Sequence, residues 1–514
     1  MIVDNYDFSG WTAQDPIHGA INFGSIEKDI IDHSLFQRLH RLRQNALLYL
    51  IFPAANHTRF DHSMGVMCLA DKFLQAIIKN QEKICKAGLS RTVYQDDYRV
   101  DDAEVKTIIA QLSGDPYYKI SLRAAALFHD IGHGPLSHLF LNFFPSFEEM
   151  KHLTNNDEYR HIYTRLLKES LAQQPVDHEI LSCVIATRVL GDISDKLKAH
   201  GIEPNKMAQD VCSIIDEHVE PSQYLTQHPY KLSALLHDII SNDIDADRMD
   251  FLLRDSHMCG VNYGLYDPDR ILRSMCAYAR TDTRELRVGV RNSGVGALED
   301  FLFSRYQMYS QIYAHKTNRA CYAMLMKIKE RLDEVNWSWH SSCSTIDQLL
   351  DRFKSFSDHA FMEELRNKDT DYGAAKIKEI TEKLFEERKL VKRVYEERIS
   401  VQVTASESGG NEQDKSKYRF ERFKENLTKK GIEFISDTFV NKGPKINDAS
   451  FYLRVLKKDP VRGYYLVHEL RNLSTVAKYL PEKEYTFRVF CKHRYVSSAK
   501  ETLSETLTEL SGSV

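Results

Sequence analysis

The sequence is short of features that would place it outside ordinary globular chemistry, and each shortage narrows the field. Nine cysteines in 514 residues include no CxxC pair and no regular spacing. That excludes a zinc ribbon or a disulfide framework and suggests reduced thiols in an intracellular, cytoplasmic protein. No apolar run approaches the roughly 20 residues that span a bilayer. The opening MIVDNYDFSG lacks the charged-then-apolar pattern of a signal peptide, so no membrane partner is expected. The net charge is only −4, which gives no overall pull toward nucleic acid or phosphate. An anionic substrate therefore needs a local basic patch, and such a patch leaves single-strand nucleic-acid binding open. There is no internal repeat and no low-complexity tract.

What is present is a long, evenly mixed chain, 42% hydrophobic and 28% charged, with room for two or three domains. Most of residues 1–320 reads as helix. Val66, Leu69, Ala70, Phe73, Leu74, Ile77 and Ile78 recur at spacings of three and four, the mark of one buried face. Similar segments run over Ser121–His129, Tyr159–Leu171, His178–Leu190 and Leu232–Asp255, and from Ala297 past Lys316. TDTRELRVGVR alternates like a short strand. Residues 321–403 are highly charged and read as a helical extension. The polar stretch 404–417 reads as a flexible linker. Residues 418–514 contain β-branched and aromatic runs (ASFYLRVL, GYYLVHEL, YTFRVFCK) and predict a small α+β lobe. The fold class expected is mainly α, with a helical core and that C-terminal lobe.

One stretch carries most of the chemistry: LFHDIGHGPLSHLF, residues 127–140. His129 and Asp130 follow a bland apolar segment and are ligand types suited to Mg, Mn, Fe or Zn. Two ligands do not make a tight site, so others must converge. TRFDHSMGV offers His62, and NDIDADRMDF offers Asp245 and Asp247. The latter two lie two residues apart and face different sides of a helix. Asp247 shares a stripe with Phe251 and Asp255, which favours Asp247 as the ligand and Asp245 as a helix cap or supporting residue. The structural alternative is a buried, mutually satisfied His–Asp pair.

Six motifs occur in order: DPIHG (15–19), FQRL (36–39), FPAANHTRFDHSMGV (52–66), HDIGHGPLSH (129–138), IDADRMDFLLRDS (244–256) and RYQMYSQIYAHK (305–316). Together they resemble the HD-domain deoxynucleoside triphosphate triphosphohydrolases related to the sterile-alpha-motif-and-HD protein, members of the HD superfamily of metal-dependent phosphohydrolases. LPEKEYTFRVFCK (480–492) is similar to that family's C-terminal lobe. DPIHG begins 15 residues in, so no sterile-alpha-motif domain is expected. The resemblance implies hydrolysis of a dNTP to deoxynucleoside and inorganic triphosphate, by attack of metal-activated water at the α-phosphorus. The alternative is an HD phosphohydrolase acting on NTPs, nucleoside monophosphates or a nucleotide second messenger. No GYP follows the HD motif, which argues against the cyclic-dinucleotide branch. A third reading, a non-catalytic scaffold, sits poorly with a complete ligand set.

The resemblance also assigns residues. It implies that His62, His129, Asp130 and Asp247 bind a divalent metal, and that His133 beside them transfers protons. His138 matches a phosphate contact. His161 matches by position a histidine that acts as general acid, although Ile162 follows where the family has glutamate. Arg59, Arg248, Arg305, Tyr309, Tyr313 and Lys316 are expected to grip phosphates and stack on sugar or base. Gln44 and Asp255 match residues that bond the sugar 3′-hydroxyl. Asn45 and Phe251 depart from the family's leucine and tyrosine, and Trp11 and His40 stand where activator-site cations are expected. The partners implied are a dNTP substrate, a second copy of the chain in a dimer or tetramer, and a nucleotide activator whose triphosphate site these changes weaken.

Overall fold

The fold is taken from a computed structural model, which describes residues 6–86, 98–100, 103–167, 169–335, 337–367, 372–401, 408–443, 453–459 and 465–511. It is mainly helical, with small sheets and a C-terminal α+β lobe. Among the described residues, no helix is long and apolar enough to cross a membrane.

The core is a bundle in which the helix Pro116–Phe128 lies at the centre. Asp115 caps it by accepting from the Tyr117 amide, and Pro116 occupies its first turn. From Ile120 to Phe128 every side chain is buried, so it packs on all sides. The long helix Arg59–Lys86 and the helices His178–Asp192 and Pro204–Ile215 surround it. Gly132 lets the HD turn approach the helix His178–Asp192, because a Cβ there would collide with the His178 carbonyl and the Ser182 amide. A two-stranded hairpin, Trp11–Asp15 with Gly19–Phe23, closes one side.

Three expected helices are broken. Tyr159–Leu171 keeps α-helix only over Arg160–Leu166, and the other two breaks have local causes. The segment Leu232–Asp255 divides into Leu232–Ile240 and Ala246–Cys259, because Asp245 caps the second helix by accepting from the Arg248 amide at 2.6 Å. The helix Val295–Gln307 runs into a π-helical turn, Met308–Tyr313, and stops. A new helix, Lys316–Glu334, then starts from the His315 cap. Arg305 and Lys316 therefore do not share one helical face.

The C-terminal half differs from expectation in three places. Lys392–Val401, the end of the charged stretch read as helix, is a strand. Its exposed Glu396, Arg398 and Ser400 alternate with half-buried Glu397, Ile399 and Val401, a period of two that dense charge disguises. Of the expected linker, residues 404–407 lie outside the described residues. Ser408 onward forms the helix Ser408–Lys429, held by Phe420, Phe423 and Leu427 in the lobe's small core. The third difference is in the sheets. Lys392–Val401, Lys483–Cys491 and Phe434–Lys442 make one three-stranded sheet. Arg454–Lys458 instead pairs parallel with the core strand Glu285–Arg291. Tyr465–Glu469 completes a five-stranded sheet with Tyr98–Arg99 and Met275–Arg280. The C-terminal residues are thus shared between a lobe and the core.

Candidate metal centre and adjoining cavity

Four side chains from three helices meet beneath a cavity. His62 comes from the first turn of Arg59–Lys86, His129 and Asp130 from the end of Pro116–Phe128, and Asp247 from the first turn of Ala246–Cys259. His62 Nε2 lies 2.9 Å from Asp247 Oδ1 and 3.5 Å from Asp130 Oδ2. His129 Nε2 lies 3.6 Å from Asp130 Oδ2 and 3.8 Å from Asp247 Oδ1. These are close to the spacings of about 3 Å between ligand atoms that each sit about 2.1 Å from one cation.

Hydrogen bonds fix which nitrogens face inward. His129 Nδ1 donates to the Ala126 carbonyl at 2.7 Å, and His62 Nδ1 donates to Asp250 Oδ2 at 2.8 Å. In both rings the Nε2 lone pair then points at the common centre, buried and outside any well-formed hydrogen bond. His62, His129 and Asp247 have ligand atoms close enough together to share one cation, and Asp130 groups in the same way with His133 and His178. Because Asp130 Oδ2 also lies within 3.6 Å of both Nε2 atoms, the set of two imidazoles and two carboxylates is chemically suited to a divalent metal. Burial opposes charge on His62, but the Asp247 and Asp250 carboxylates against its two nitrogens outweigh that and raise its pKa to about 10. Burial would raise the Asp247 carboxyl, but His129 and His62 hold it well below the usual range.

Asp130 also contacts its surroundings. Arg59 bonds it through one amino group and Ser137 through the other. His133 Nε2 lies 3.4 Å from Asp130 Oδ1. The His133 ring stacks on His178, with centroids 3.9 Å apart and planes 24° apart. Burial, then Arg59 and His178, hold the His133 pKa well below its ordinary value. Burial pushes His178 down to about 4, although Asp130 opposes this. Both rings rest neutral. Arg38 braces this turn from behind, donating to the His133 carbonyl at 2.6 Å and the Phe356 carbonyl at 2.9 Å.

The cavity above the four ligands has a volume of about 590 Å³. Arg59, Arg248 and Arg319 line it together with Tyr309, Tyr313 and Phe251. Gln44, Asn45 and Asp255 form a further wall. Asp255 accepts from His57 Nε2 at 2.7 Å and from the Tyr313 hydroxyl. Gln44 Oε1 is buried with no hydrogen-bond partner among the described residues. Phe439, on a strand of the C-terminal lobe, closes one side beside Arg319.

Not every expected residue reaches this place. Arg305 is buried behind Arg248, 3.6 Å from Asp243, and does not line the cavity. Lys316 is exposed and lines a second cavity of about 420 Å³, with Thr317, Arg388, Lys392 and Arg393. The π-helical turn and the break after it carry Lys316 there. The His138 side chain lies outside the described residues. His161 does not line the cavity, and its Nε2 lies 3.1 Å from the Thr187 hydroxyl, whereas His178 and Glu179 do line it. The sequence did hold a signal for this: His-Glu pairs occur at DHEI (177–180) and VHEL (467–470), and only the first lies in the helical segment that follows the HD motif. Arg319, three residues past Lys316, is a second charged group of the cavity wall that sequence reasoning missed, as are Asn318 and Tyr322 beside it.

A family model described as the HD associated region matches residues 267–428. The chain is 30% identical over 324 residues to the uncharacterized protein YwfO of Bacillus subtilis, covering 63% of this chain and 56% of that protein. It is 25% identical over 510 residues to the deoxynucleoside triphosphate triphosphohydrolase SAMHD1 of Homo sapiens, covering 93% and 70%. It is 24% identical over 499 residues to the putative HD domain-containing protein L394 of Acanthamoeba polyphaga mimivirus, covering 93% and 91%. The chain spans 56% of the length of YwfO and of the uncharacterized protein MJ1154 of Methanocaldococcus jannaschii. In fold it is similar to a solved hypothetical protein from Aquifex aeolicus, with a TM-score of 0.62, 22% identity and coverage of 96% and 99%. The matched region, these relatives and the His/Asp constellation support an HD-domain family similar to SAMHD1.

Proposed function

We propose that this protein is an HD phosphohydrolase that cleaves dNTPs to deoxynucleoside and inorganic triphosphate. The observation that carries the reading is the pairing of a two-histidine, two-carboxylate constellation with a cavity walled by three arginines and three tyrosines. His62, His129, Asp130 and Asp247 would hold a divalent cation, which supplies positive charge against the phosphoryl oxygens and lowers the pKa of water. Arg59 and Arg248 bind phosphate oxygens beside it, and Arg319 adds a third cation at the lobe. Tyr309 and Tyr313 bracket the sugar and base. Gln44 and Asp255 bond the sugar 3′-hydroxyl, so a dideoxynucleotide leaves the buried Gln44 Oε1 without a partner and is penalised.

His133 and His178 rest neutral because Arg59 and burial disfavour their protonated forms. A bound polyphosphate brings negative charge that reverses this field and favours a proton on one ring. That ring then serves as general acid to the departing 5′-oxygen. We assign this to His178, which lines the cavity, in place of His161.

A second reading, hydrolysis of NTPs, is favoured by one residue. Asn45 places an amide on the sugar wall, 3.3 Å from His57 Nε2, where it suits a 2′-hydroxyl. One experiment separates the readings: incubation of the protein with each dNTP and NTP plus Mg or Mn, with product identification. Nucleoside and triphosphate from dNTPs alone supports the first reading, and equal turnover of NTPs supports the second. Orthophosphate, pyrophosphate or no turnover rejects both. The basic second cavity at Lys316, Arg388, Lys392 and Arg393 suits a nucleotide activator, and rate measurements with and without GTP test it. A homo-oligomer, dimer or tetramer, is checked by light scattering.

A further inference from the structure

The DPIHG turn takes no part in the chemistry above, yet it reaches the metal constellation through one buried carboxylate. Asp250 lies one turn after Asp247 on the same helix and is fully buried. Its two oxygens accept four hydrogen bonds. Oδ1 accepts from His18 Nε2 at 2.6 Å and from Arg254 Nη2 at 2.9 Å. Oδ2 accepts from His62 Nδ1 and from Arg254 Nε, both at 2.8 Å. Every acceptor position of the carboxylate is thus filled. Arg254 Nη1 continues to Asp15 Oδ2 at 2.8 Å, and Asp15 Oδ1 accepts from the Ile17 and His18 amides at 2.8 Å. The chain of contacts runs from the N-terminal turn to His62 without a gap. Gly65, one helical turn after His62, leaves it room, because a Cβ there would collide with Asp250 and Arg254.

Asp247 and Asp250 therefore grip opposite nitrogens of one ring: Asp247 beside Nε2, Asp250 on Nδ1. Holding the proton on Nδ1 leaves the Nε2 lone pair for a cation and sets the ring's direction. We propose that Asp250 is a positioning residue for metal binding by His62, and that His18 and Arg254 hold it in place. This rests on the reading of His62 as a metal ligand. It gives the DPIHG motif a purpose: a residue 44 positions upstream of His62 helps set metal affinity.

The test is calorimetric titration of Mn(II) into the metal-free full chain, with circular dichroism and thermal melts on the same samples. Asp250→Asn is expected to weaken Mn(II) binding about 10–100-fold with secondary structure unchanged, and His18→Gln to weaken it several-fold. Leu252→Ala, buried on the same helix but outside these contacts, serves as the purely structural control. It should lower the melting temperature and leave Mn(II) affinity within about threefold. Wild-type affinity in both Asp250→Asn and His18→Gln, with loss in His62→Ala, overturns the positioning role and leaves the metal-site reading standing. Wild-type affinity in His62→Ala overturns both. If Asp250→Asn does not fold, His18→Gln decides.

Discussion

Asp130 is the side chain on which the most site residues converge: Arg59, His133, His62 and His129 all lie against its two oxygens. Asp130→Asn keeps the shape and removes the charge. We expect triphosphate release to fall at least about 100-fold and bound metal to be lost, read by product chromatography and elemental analysis. The two histidine assignments separate cleanly by kinetics. His178→Gln should lower kcat about 100-fold or more, whereas His161→Gln, facing Thr187, should stay within about threefold. His178 also gives a pH prediction. Its pKa is pushed from 6.5 down to about 4 in the folded protein, so the unfolded chain binds more protons between those values. Folding stability from a neutral His178 is therefore present above pH 6.5 and lost as pH falls toward 4, by on the order of 3 kcal/mol. The difference between wild-type and His178→Gln denaturation curves should carry that slope, and parallel curves would refute it. At this scale the sequence was readable where chemistry is contiguous or spacing is rigid. His129–Asp130 is a dipeptide, and the stripe of Asp247 and Asp255 survives intact in one helix. His178 was missed because 40 residues of irregular helix and turn after His138 hide which histidine returns to the cavity.

Single elements explain the remaining gains and losses. The Asp245 cap was legible from an acidic residue two positions before the expected ligand. It both accepts from the Arg248 amide and pairs with the Arg248 side chain. Asp245→Ala should cost about 1–2 kcal/mol of stability in denaturant titration. It should also weaken phosphate binding, because Arg248 loses the partner that aims it over the cavity. The π-helical turn at Met308–Tyr313 was not legible: the residues Arg305, Tyr309, Tyr313 and Lys316 are spaced as one face of an α-helix. A π turn changes the angular step and the helix then ends, so the two tyrosines reach the cavity, and Arg305 and Lys316 do not. Lys392–Val401 was hidden by charge, since six of its ten residues are polar or charged and its alternation appears only once the burial of one face is known.

At the scale of the whole molecule, the mainly helical class and the α+β terminus follow from periodicity alone. The way the two parts join does not, because register between strands more than 150 residues apart leaves no local mark. Glu285–Arg291 and Arg454–Lys458 pair in parallel, and Phe439 closes the cavity from the lobe's own sheet. The C-terminal residues are therefore part of the core's architecture. A chain ending at residue 391 should elute as aggregate in size-exclusion chromatography and bind no nucleotide. A monodisperse, nucleotide-binding fragment would show the shared sheet to be dispensable.

That pairing also shapes how the protein is made. On the ribosome, Glu285–Arg291 emerges roughly 160 residues before its parallel neighbour Arg454–Lys458. At about 5–20 residues per second, one side of a largely buried strand waits on the order of ten seconds with its amides and carbonyls unpaired. The nascent chain is open to strand addition by its neighbours throughout that interval. Yield of native protein should therefore depend on synthesis rate and temperature more steeply than the stability of the finished molecule would suggest.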